Sequence, residues 1–131
     1  MNPAYPEFKH TDLTRKIIEI FYRVYNTLGY GFLEKVYEKA MMLEFEKADI
    51  PATAQFPIKV DYQGQLVGEY AADILIENKV IIEIKAARDI SPENEAQLLN
   101  YLKATQIEVG LLLNFGPEPK IKRKAFDNTK K

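Results

Sequence analysis

The sequence predicts a three-layer α/β domain, in which a mixed sheet of four or five strands is flanked by helices. Residues 11–28 and 32–47 carry apolar side chains at helical spacing. Residues 56–86 alternate strand-like runs with two short polar turns, a pattern that is typical of antiparallel hairpins. A further helix at 91–104 precedes an apolar run at 107–115, and this crossover favours a strand parallel to an earlier one. The predicted core order is therefore helix, three strands, helix and strand.

The first two helices have recognisable ends and apolar stripes. Thr11 or Asp12 can cap the first helix, and Leu28-Gly29-Tyr30-Gly31 ends it. Pro51 requires the second helix to stop nearby. Glu34 lies near the edge of the second stripe, in a first turn where the helix dipole alone already favours an acid. The stripes consist of Leu13, Ile17, Phe21, Val24, Tyr25 and Leu28, and of Leu33, Val36, Tyr37, Ala40, Met41 and Phe45.

The hairpin at 71–86 carries three ionisable side chains within otherwise apolar strands. If Ile76 pairs with Val80 around the turn at 77–79, Asp73 lies opposite Glu83. Lys85 shares the face of these two acids, and the carboxylates repel each other unless a cation compensates. The opposite face is predicted to be wholly apolar and consists of Ala72, Ile74, Ile76, Val80, Ile82 and Ile84.

The helix at 91–104 has a clear start, with Ser91 at the N-cap and Pro92 at the first helical position. Gln97 and Tyr101 are four residues apart and therefore project together toward one site. The alternative is a partly buried tyrosine beside a surface glutamine. The apolar side of this helix is predicted to include Ala96, Leu99 and Leu102, with Leu98 and Tyr101 beside them.

Composition limits the classes of function. The 131 residues, 47% hydrophobic and 28% charged, are typical of one globular domain, which we place at 11–126 between an N-terminal arm at 1–10 and a basic tail at 127–131. No run approaches the roughly 20 apolar residues of a membrane span, and the arm lacks the apolar core of a secretory signal, so a cytoplasmic protein is expected. With no cysteine and His10 as the single histidine, a metal site must be rich in oxygen ligands, which suits Mg²⁺, Mn²⁺ or Ca²⁺.

The segment at 116–131 is basic although the net charge of the chain is −1. It holds six lysines and arginines and two acidic residues. Two interpretations stay open: a solvated, frayed C-terminus and a segment that contacts phosphates.

Three structural explanations compete with a catalytic one for Asp73, Glu83 and Lys85. An ion pair with Lys85 neutralises only one of the two acids, and a solvated outer face is disfavoured because Leu75 and Ile81 share it. A decayed site is the third explanation. Phosphodiester hydrolysis needs a metal held by clustered carboxylates and a cation for the transition-state charge, and these three residues supply that set.

The spacing of these residues resembles a known superfamily. Asp73, followed across the hairpin by Glu83-Ile84-Lys85, resembles the motif of the PD-(D/E)XK nucleases, with Ala72 in place of the proline before the first acid. The run Gln97-Leu98-Leu99-Asn100-Tyr101 matches the Q-x-x-x-Y element of the RecB-like branch. Gly31-Phe32-Leu33-Glu34-Lys35-Val36-Tyr37 matches the signature of the prokaryotic GxxExxY protein family, with similarity from about residue 13 to 126.

The resemblance implies a metal centre. Asp73 and Glu83 would hold Mg²⁺ or Mn²⁺, with the Ile84 carbonyl as a third ligand. Glu34 would bind the metal directly or through water.

The remaining motif residues receive supporting roles from the resemblance. Lys85 would orient the attacking water or stabilise the phosphorane, and Gln97 and Tyr101 would brace the site or hold a substrate phosphate.

We therefore expect a DNase-type phosphodiesterase that uses metal-activated water, forms no covalent intermediate, and has DNA as its nucleic-acid partner. One alternative is a non-catalytic nucleic-acid-binding or protein-interaction module on a nuclease scaffold, although the intact acid-acid-lysine set argues against it. The other is a structure-selective, resolvase-like endonuclease that acts as a homodimer, because a minimal domain has little surface for DNA.

Overall fold

In the computed structural model, which describes residues 9–131, a five-stranded mixed sheet lies between two layers of helices. The predicted fold class is confirmed. The predicted arm at 1–10 lies outside the described residues except for Lys9 and His10. The helices are α1 (Thr11–Leu28), α2 (Glu34–Lys47) and α3 (Pro92–Ala104), and the strands are β1 (Ala52–Tyr62), β2 (Gln65–Ile76), β3 (Val80–Lys85), β4 (Val109–Phe115) and β5 (Pro119–Ala125).

The strands follow chain order across the sheet, β1-β2-β3-β4-β5. All neighbours are antiparallel except β3 and β4, whose parallel pairing confirms the crossover through α3. Helices α1 and α2 pack on one face, where the larger core cluster forms, and α3 packs on the other. No helix between residues 9 and 131 is long and apolar enough to span a bilayer.

Helix α1 has the predicted bounds but not the predicted cap. Thr11 and Asp12 already lie inside the helix, so His10 takes the N-cap position, in a left-handed conformation with φ 58° and without a capping side-chain hydrogen bond. Gly29, with φ 67°, ends the helix and donates its backbone N–H to Tyr25 O.

Helix α2 buries most of the predicted stripe, with Tyr37, Met41 and Phe45 in the core and Ala40 packed against it, but not the first two residues of that stripe. Leu33 is 81% exposed and Val36 is 39% exposed, so both predictions of burial are wrong. Leu33 is exposed because the helix begins only at Glu34, which leaves Leu33 at the N-cap. Val36 is exposed because Tyr37 is held inward: its hydroxyl donates to Gly29 O at 2.7 Å and its ring stacks on Phe115 with centroids 4.2 Å apart. The residues of α2 that are buried are Tyr37, Glu38, Met41 and Phe45.

The β2–β3 hairpin has the predicted register. Ile76 pairs with Val80 and Ile74 with Ile82, around a turn in which Glu77 and Asn78 both have positive φ. Ala72 departs from the prediction, because it packs in the α3-side cluster and not with Ile74. Strict alternation does not hold across Asp73, since neither the β1–β2 nor the β2–β3 register includes this residue.

The buried side of α3 also differs from the prediction. Leu98, Tyr101 and Leu102 are buried, whereas Leu99 is half-buried and Ala96 is exposed. Leu98 fixes this rotation because it packs on Gly110 of β4, where a Cβ would lie 2.7 Å from Leu98 Cδ1. The predicted cap is confirmed, with the Asn94 N–H donating to Ser91 Oγ at 3.1 Å.

The basic C-terminal segment is neither frayed nor detached. It forms β5, antiparallel to β4, and then a short 3₁₀ helix, Asn128–Lys130. The ammonium of Lys131 donates to the carbonyls of Thr105 and Ile107 at 2.9 and 2.8 Å. Of the two interpretations left open by the sequence, the frayed C-terminus is wrong, because the apolar β4 offers an edge that this segment covers.

Candidate active site

Where the backbones of β2 and β3 stop pairing, hydrogen bonds to the side chains of Asp73 and Glu83 join the two strands. The last backbone pair is Ile74 with Ile82. Beyond it, the Asp73 N–H donates to Glu83 Oε2 and the Ile84 N–H donates to Asp73 Oδ2, both at 2.7 Å. Each acid therefore binds the backbone of the opposite strand. The structure brings together the two carboxylates that the register predicted to be neighbours.

The acid pair is electrostatically costly. Glu83 is only 6% exposed, and burial together with repulsion from Asp73 raises its pKa to about 8. The hydrogen bond from the Asp73 N–H and the positive charge of Lys85 lower the pKa of Glu83 but do not offset these effects. A cation bound to both carboxylates would favour their charged forms.

Lys85 is the last residue of β3 and is half-buried on the face that carries Glu83. Across the ladder it pairs with Asn114 of β4, a completely buried side chain. Asn114 clamps the loop that follows Lys85: its Oδ1 accepts from the Ala87 N–H at 3.0 Å and its Nδ2 donates to Ala87 O at 2.9 Å. Gly116 completes this clamp, because a Cβ there would lie 2.1 Å from Ala87 O.

Asn114 was missed by reasoning from the sequence. The available signal was a lone amide in the apolar run at 107–115, since buried polar side chains need specific partners.

Tyr101, a buried residue of α3, packs on the side of the sheet that carries Glu83, and Gln97 is an exposed residue one turn before it. Gln97 Nε2 donates to the Tyr101 hydroxyl, which confirms that the two side chains project together. Tyr101 is 5% exposed, and burial raises the pKa of its hydroxyl, as do the charges of Glu83 and Asp73. The hydroxyl therefore lies within the electrostatic field of the carboxylates.

Glu34 is not gathered with the pair. It is exposed in the first turn of α2, and the described part of the chain contains no cluster of three or more acidic, histidine or cysteine side chains placed to hold a metal ion. Glu38, one turn later, is buried and accepts from Gln55 Nε2 at 2.8 Å. Glu38 could not be singled out from the sequence, because an acid four residues after Glu34 is typical of a solvent-exposed helix face.

The donor set of the pair suits a hard divalent cation. Asp73 and Glu83 supply carboxylate oxygens, which Mg²⁺ and Mn²⁺ prefer, and each acid engages one oxygen with the opposite backbone in the hydrogen bonds described above. The Ile84 carbonyl belongs to the same strand. The residues therefore fit a small oxygen-ligated site that bound water or substrate would complete.

The chain is similar to known nucleases in sequence and in fold. A sequence model of the PD-(D/E)XK nuclease superfamily matches residues 11–125. No curated protein matches the sequence significantly.

Two solved structures share the fold. The crystal structure of SSO0001 superposes with a TM-score of 0.57 at 18% identity, over 71% of this chain and 50% of that one. An alkaline exonuclease (LHK-Exo) from Laribacter hongkongensis superposes with a TM-score of 0.52 at 12% identity, over 93% of this chain and 73% of that one. The chain thus spans half the length of SSO0001.

Proposed function

The chain belongs to the PD-(D/E)XK nuclease superfamily, and we propose that it is a Mg²⁺- or Mn²⁺-dependent nuclease that hydrolyses phosphodiester bonds in DNA. The observation that carries the proposal is the reciprocal bridge between Asp73 and Glu83. An ordinary β-ladder would satisfy the backbone N–H groups of Asp73 and Ile84 without any side chain, yet here two neighbouring acids accept them. Such an arrangement is expected where the acids have a ligand to bind.

Asp73 and Glu83 are the proposed metal ligands, with the Ile84 carbonyl as a third. The bound cation would polarise the phosphoryl group and lower the pKa of a water molecule. Because the backbone N–H groups of Asp73 and Ile84 hold one oxygen of each acid, the carboxylates are oriented before any ligand arrives.

Lys85 is proposed to act on the reacting phosphate. Its ammonium lies on the face of Glu83 at the end of β3, where it can orient the attacking water or stabilise the negative charge that develops on the phosphoryl oxygens. The Asn114 clamp on Ala87 holds the chain directly after Lys85 and so limits its movement.

Gln97, Tyr101 and Glu34 have supporting roles in the proposal. The hydroxyl of Tyr101 and the amide of Gln97, which are hydrogen-bonded to each other, would brace the site or hold a substrate phosphate. Glu34, exposed at the start of α2, would act on the metal through water and not directly. This assignment predicts a smaller effect for Glu34 than for Asp73.

The motifs Gly31 to Tyr37 and Gln97 to Tyr101 support a finer assignment, to the GxxExxY family and to the RecB-like branch, with residues 11–126 as the nuclease domain. Strand β5 supports nucleic acid as the partner. Lys122 is an exposed residue of β5 that pairs with Leu112 on the face carrying Glu83 and Lys85, so this edge can contact phosphates, whereas Lys120 and Lys124 on the same face form ion pairs with Asp89 and Glu95.

The test is cleavage of linear, circular and single-stranded DNA, and of RNA, in the presence of Mn²⁺. We expect wild type to cut DNA, and Asp73→Asn and Lys85→Ala to lose about 100-fold or more of the rate, as for loss of a transition-state contact. Glu34→Gln should lose less. Lys79→Ala, which removes a lysine from the turn of the same hairpin, is the matched control and should keep the rate.

Equal rates in wild type, Asp73→Asn and Lys85→Ala would overturn the catalytic assignment. Wild-type protein that binds DNA without cutting it would favour the non-catalytic binding module instead.

A further inference from the structure

A groove adjoins the acid pair on the α3 side of the sheet. It lies between the β1–β2 hairpin and α3 and has a volume of about 810 Å³. Tyr101 lines the groove and belongs to the α3-side cluster together with Ala72, which precedes Asp73, and Ile81, two residues before Glu83, so the groove lies beside the strands that carry the acid pair. We propose that this groove binds an unpaired base of the nucleic-acid strand, stacked on Tyr70, next to the phosphate that the acid pair would cut. The inference rests on the proposed nuclease function.

Tyr70 presents an aromatic surface to the groove. It pairs with Ile58 across the β1–β2 ladder, and Ile58 is buried in the α3-side cluster, so Tyr70 points to the same side of the sheet. Its ring centroid lies 5.9 Å from that of Tyr101, with the two planes tilted by 46°. Tyr101 thus supports one part of the ring, while Tyr70 as a whole stays 52% exposed. A supported but exposed aromatic ring is the usual platform for base stacking.

The charges of the groove favour a base over a phosphate backbone. Lys59 and Lys103 line it together with Asp61 and Glu93, so its cations are matched by its acids. A groove that tracked several phosphates would carry an excess of positive charge, because phosphate contacts depend on lysine and arginine.

The polar lining of the groove suits the edge of a base. Gln97 and Asn100 line it from α3, and side-chain amides offer both a hydrogen-bond donor and an acceptor. The basic edge at β5 lies on the other side of the acid pair across the sheet order. Bases on the hairpin side and phosphates on the β5 side would place the connecting phosphodiester at Asp73 and Glu83.

The occupant must be unpaired. Inside a duplex both faces of each base are covered by neighbouring bases, so away from a blunt end a tyrosine ring can stack only on a single strand, an overhang or an opened end. The inference therefore narrows the substrate class from nucleic acid in general to strands with accessible bases near the scissile phosphate.

Binding is measured without cleavage, with the full chain in chelator-containing buffer. The probes are oligonucleotides of one length with a terminal dye that reports binding by its anisotropy. They comprise a single strand and a blunt duplex, each with a base analogue whose fluorescence is quenched by stacking, and a single strand of abasic sites that carries the terminal dye alone. We expect wild type to quench the intact single strand and to bind it roughly 5- to 100-fold more tightly than the abasic strand.

The variants isolate the ring of Tyr70. Tyr70→Ala should weaken binding of the intact strand by a similar factor, Tyr70→Phe should retain it, and binding of the abasic strand should change little. Tyr22→Ala is the matched control, because Tyr22 is an exposed tyrosine on α1, across the sheet from α3. Melting temperatures verify that each variant is folded.

The outcomes separate this inference from the proposed function. Equal wild-type affinities for the intact and abasic strands, or equal affinities of Tyr70→Ala and wild type for the intact strand, would overturn the stacking site even if the enzyme cuts DNA with Mn²⁺. Stacking without any cleavage would overturn the proposed function and leave the stacking site standing. The comparison of intact and abasic strands needs wild type alone, so a variant that fails to fold does not prevent the test.

Discussion

The two halves of the β2–β3 hairpin differ in how they join their strands. Near the turn, three backbone pairs, from Ile76 with Val80 to Ile74 with Ile82, form a regular ladder of buried apolar residues. Beyond Ile74 the ladder stops, and the side chains of Asp73 and Glu83 accept the backbone N–H groups across the gap. The same two strands therefore serve as core at one end and as a candidate active site at the other.

The two halves of the hairpin have opposite effects on the stability of the fold. The turn half removes apolar side chains from water, which stabilises the fold. The open half buries the carboxyl of Glu83. Burial and repulsion from Asp73 raise the pKa of this carboxyl to about 8, so its charged form is disfavoured in the folded chain. A ligand that prefers charged carboxylates would reverse this penalty.

The largest effect on stability is expected in the turn half. Ile82→Ala removes a side chain that is 0% exposed and leaves a cavity in the larger core cluster, so the free energy of unfolding should fall by about 2–5 kcal/mol. Urea denaturation of wild type and variant measures this change. A loss under about 1 kcal/mol would show that this half is not the rigid core that we describe.

A smaller effect of opposite sign is expected in the open half. Without metal, Glu83→Gln keeps an oxygen that can accept the Asp73 N–H but removes the buried charge. In wild type, the pKa of Glu83 is about 8 in the folded state and has its ordinary value of 4.5 in the unfolded chain. Between these two pH values, Glu83 is protonated in the folded state and ionised in the unfolded chain. The stability from this group is therefore complete below pH 4.5 and is lost as pH rises to about 8.

The measurement is the free energy of unfolding from pH 5 to 8.5 in chelator for wild type and Glu83→Gln. Subtracting the wild-type value from that of the variant removes the contribution of the other titrating groups and leaves that of Glu83. As the pH rises across this range, the free energy of unfolding of the variant should increase by about 1–3 kcal/mol relative to that of wild type. A constant difference at all pH values would contradict the raised pKa of Glu83.

The regular half of the hairpin is also the half that the sequence predicted best. Apolar runs of period two, joined by a short polar turn, fix a register once one face must be buried, and Ile74, Ile76 and Val80 follow it. The opposition of Asp73 and Glu83 was predicted because it follows from the same register. Their reciprocal backbone bonds were not, because alternation assumes a ladder that continues through both residues.

Other errors have a similar origin in tertiary contacts. Strand β5 escaped prediction because its run of lysines and arginine hides the alternation, and only the open edge of β4 selects a strand there. On α2 only Leu33 and Val36 were wrongly predicted to be buried, because the helix begins at Glu34 and the stacking of Tyr37 on Phe115 directs Val36 outward. The site residues on α3, Gln97 and Tyr101, were placed correctly in relation to each other because their contact depends only on helical spacing.

The most direct test of the central claim is whether a divalent cation binds the open half of the hairpin. Wild type, Asp73→Asn and Glu77→Gln are titrated with Mn²⁺ while the melting temperature is followed, Glu77 being an acid at the turn end of the same hairpin. Since a ligand of the folded state stabilises it by mass action, the melting temperature of wild type and Glu77→Gln should rise and saturate, whereas Asp73→Asn should respond weakly. An equal rise in wild type and Asp73→Asn, or no rise in wild type, would contradict the account.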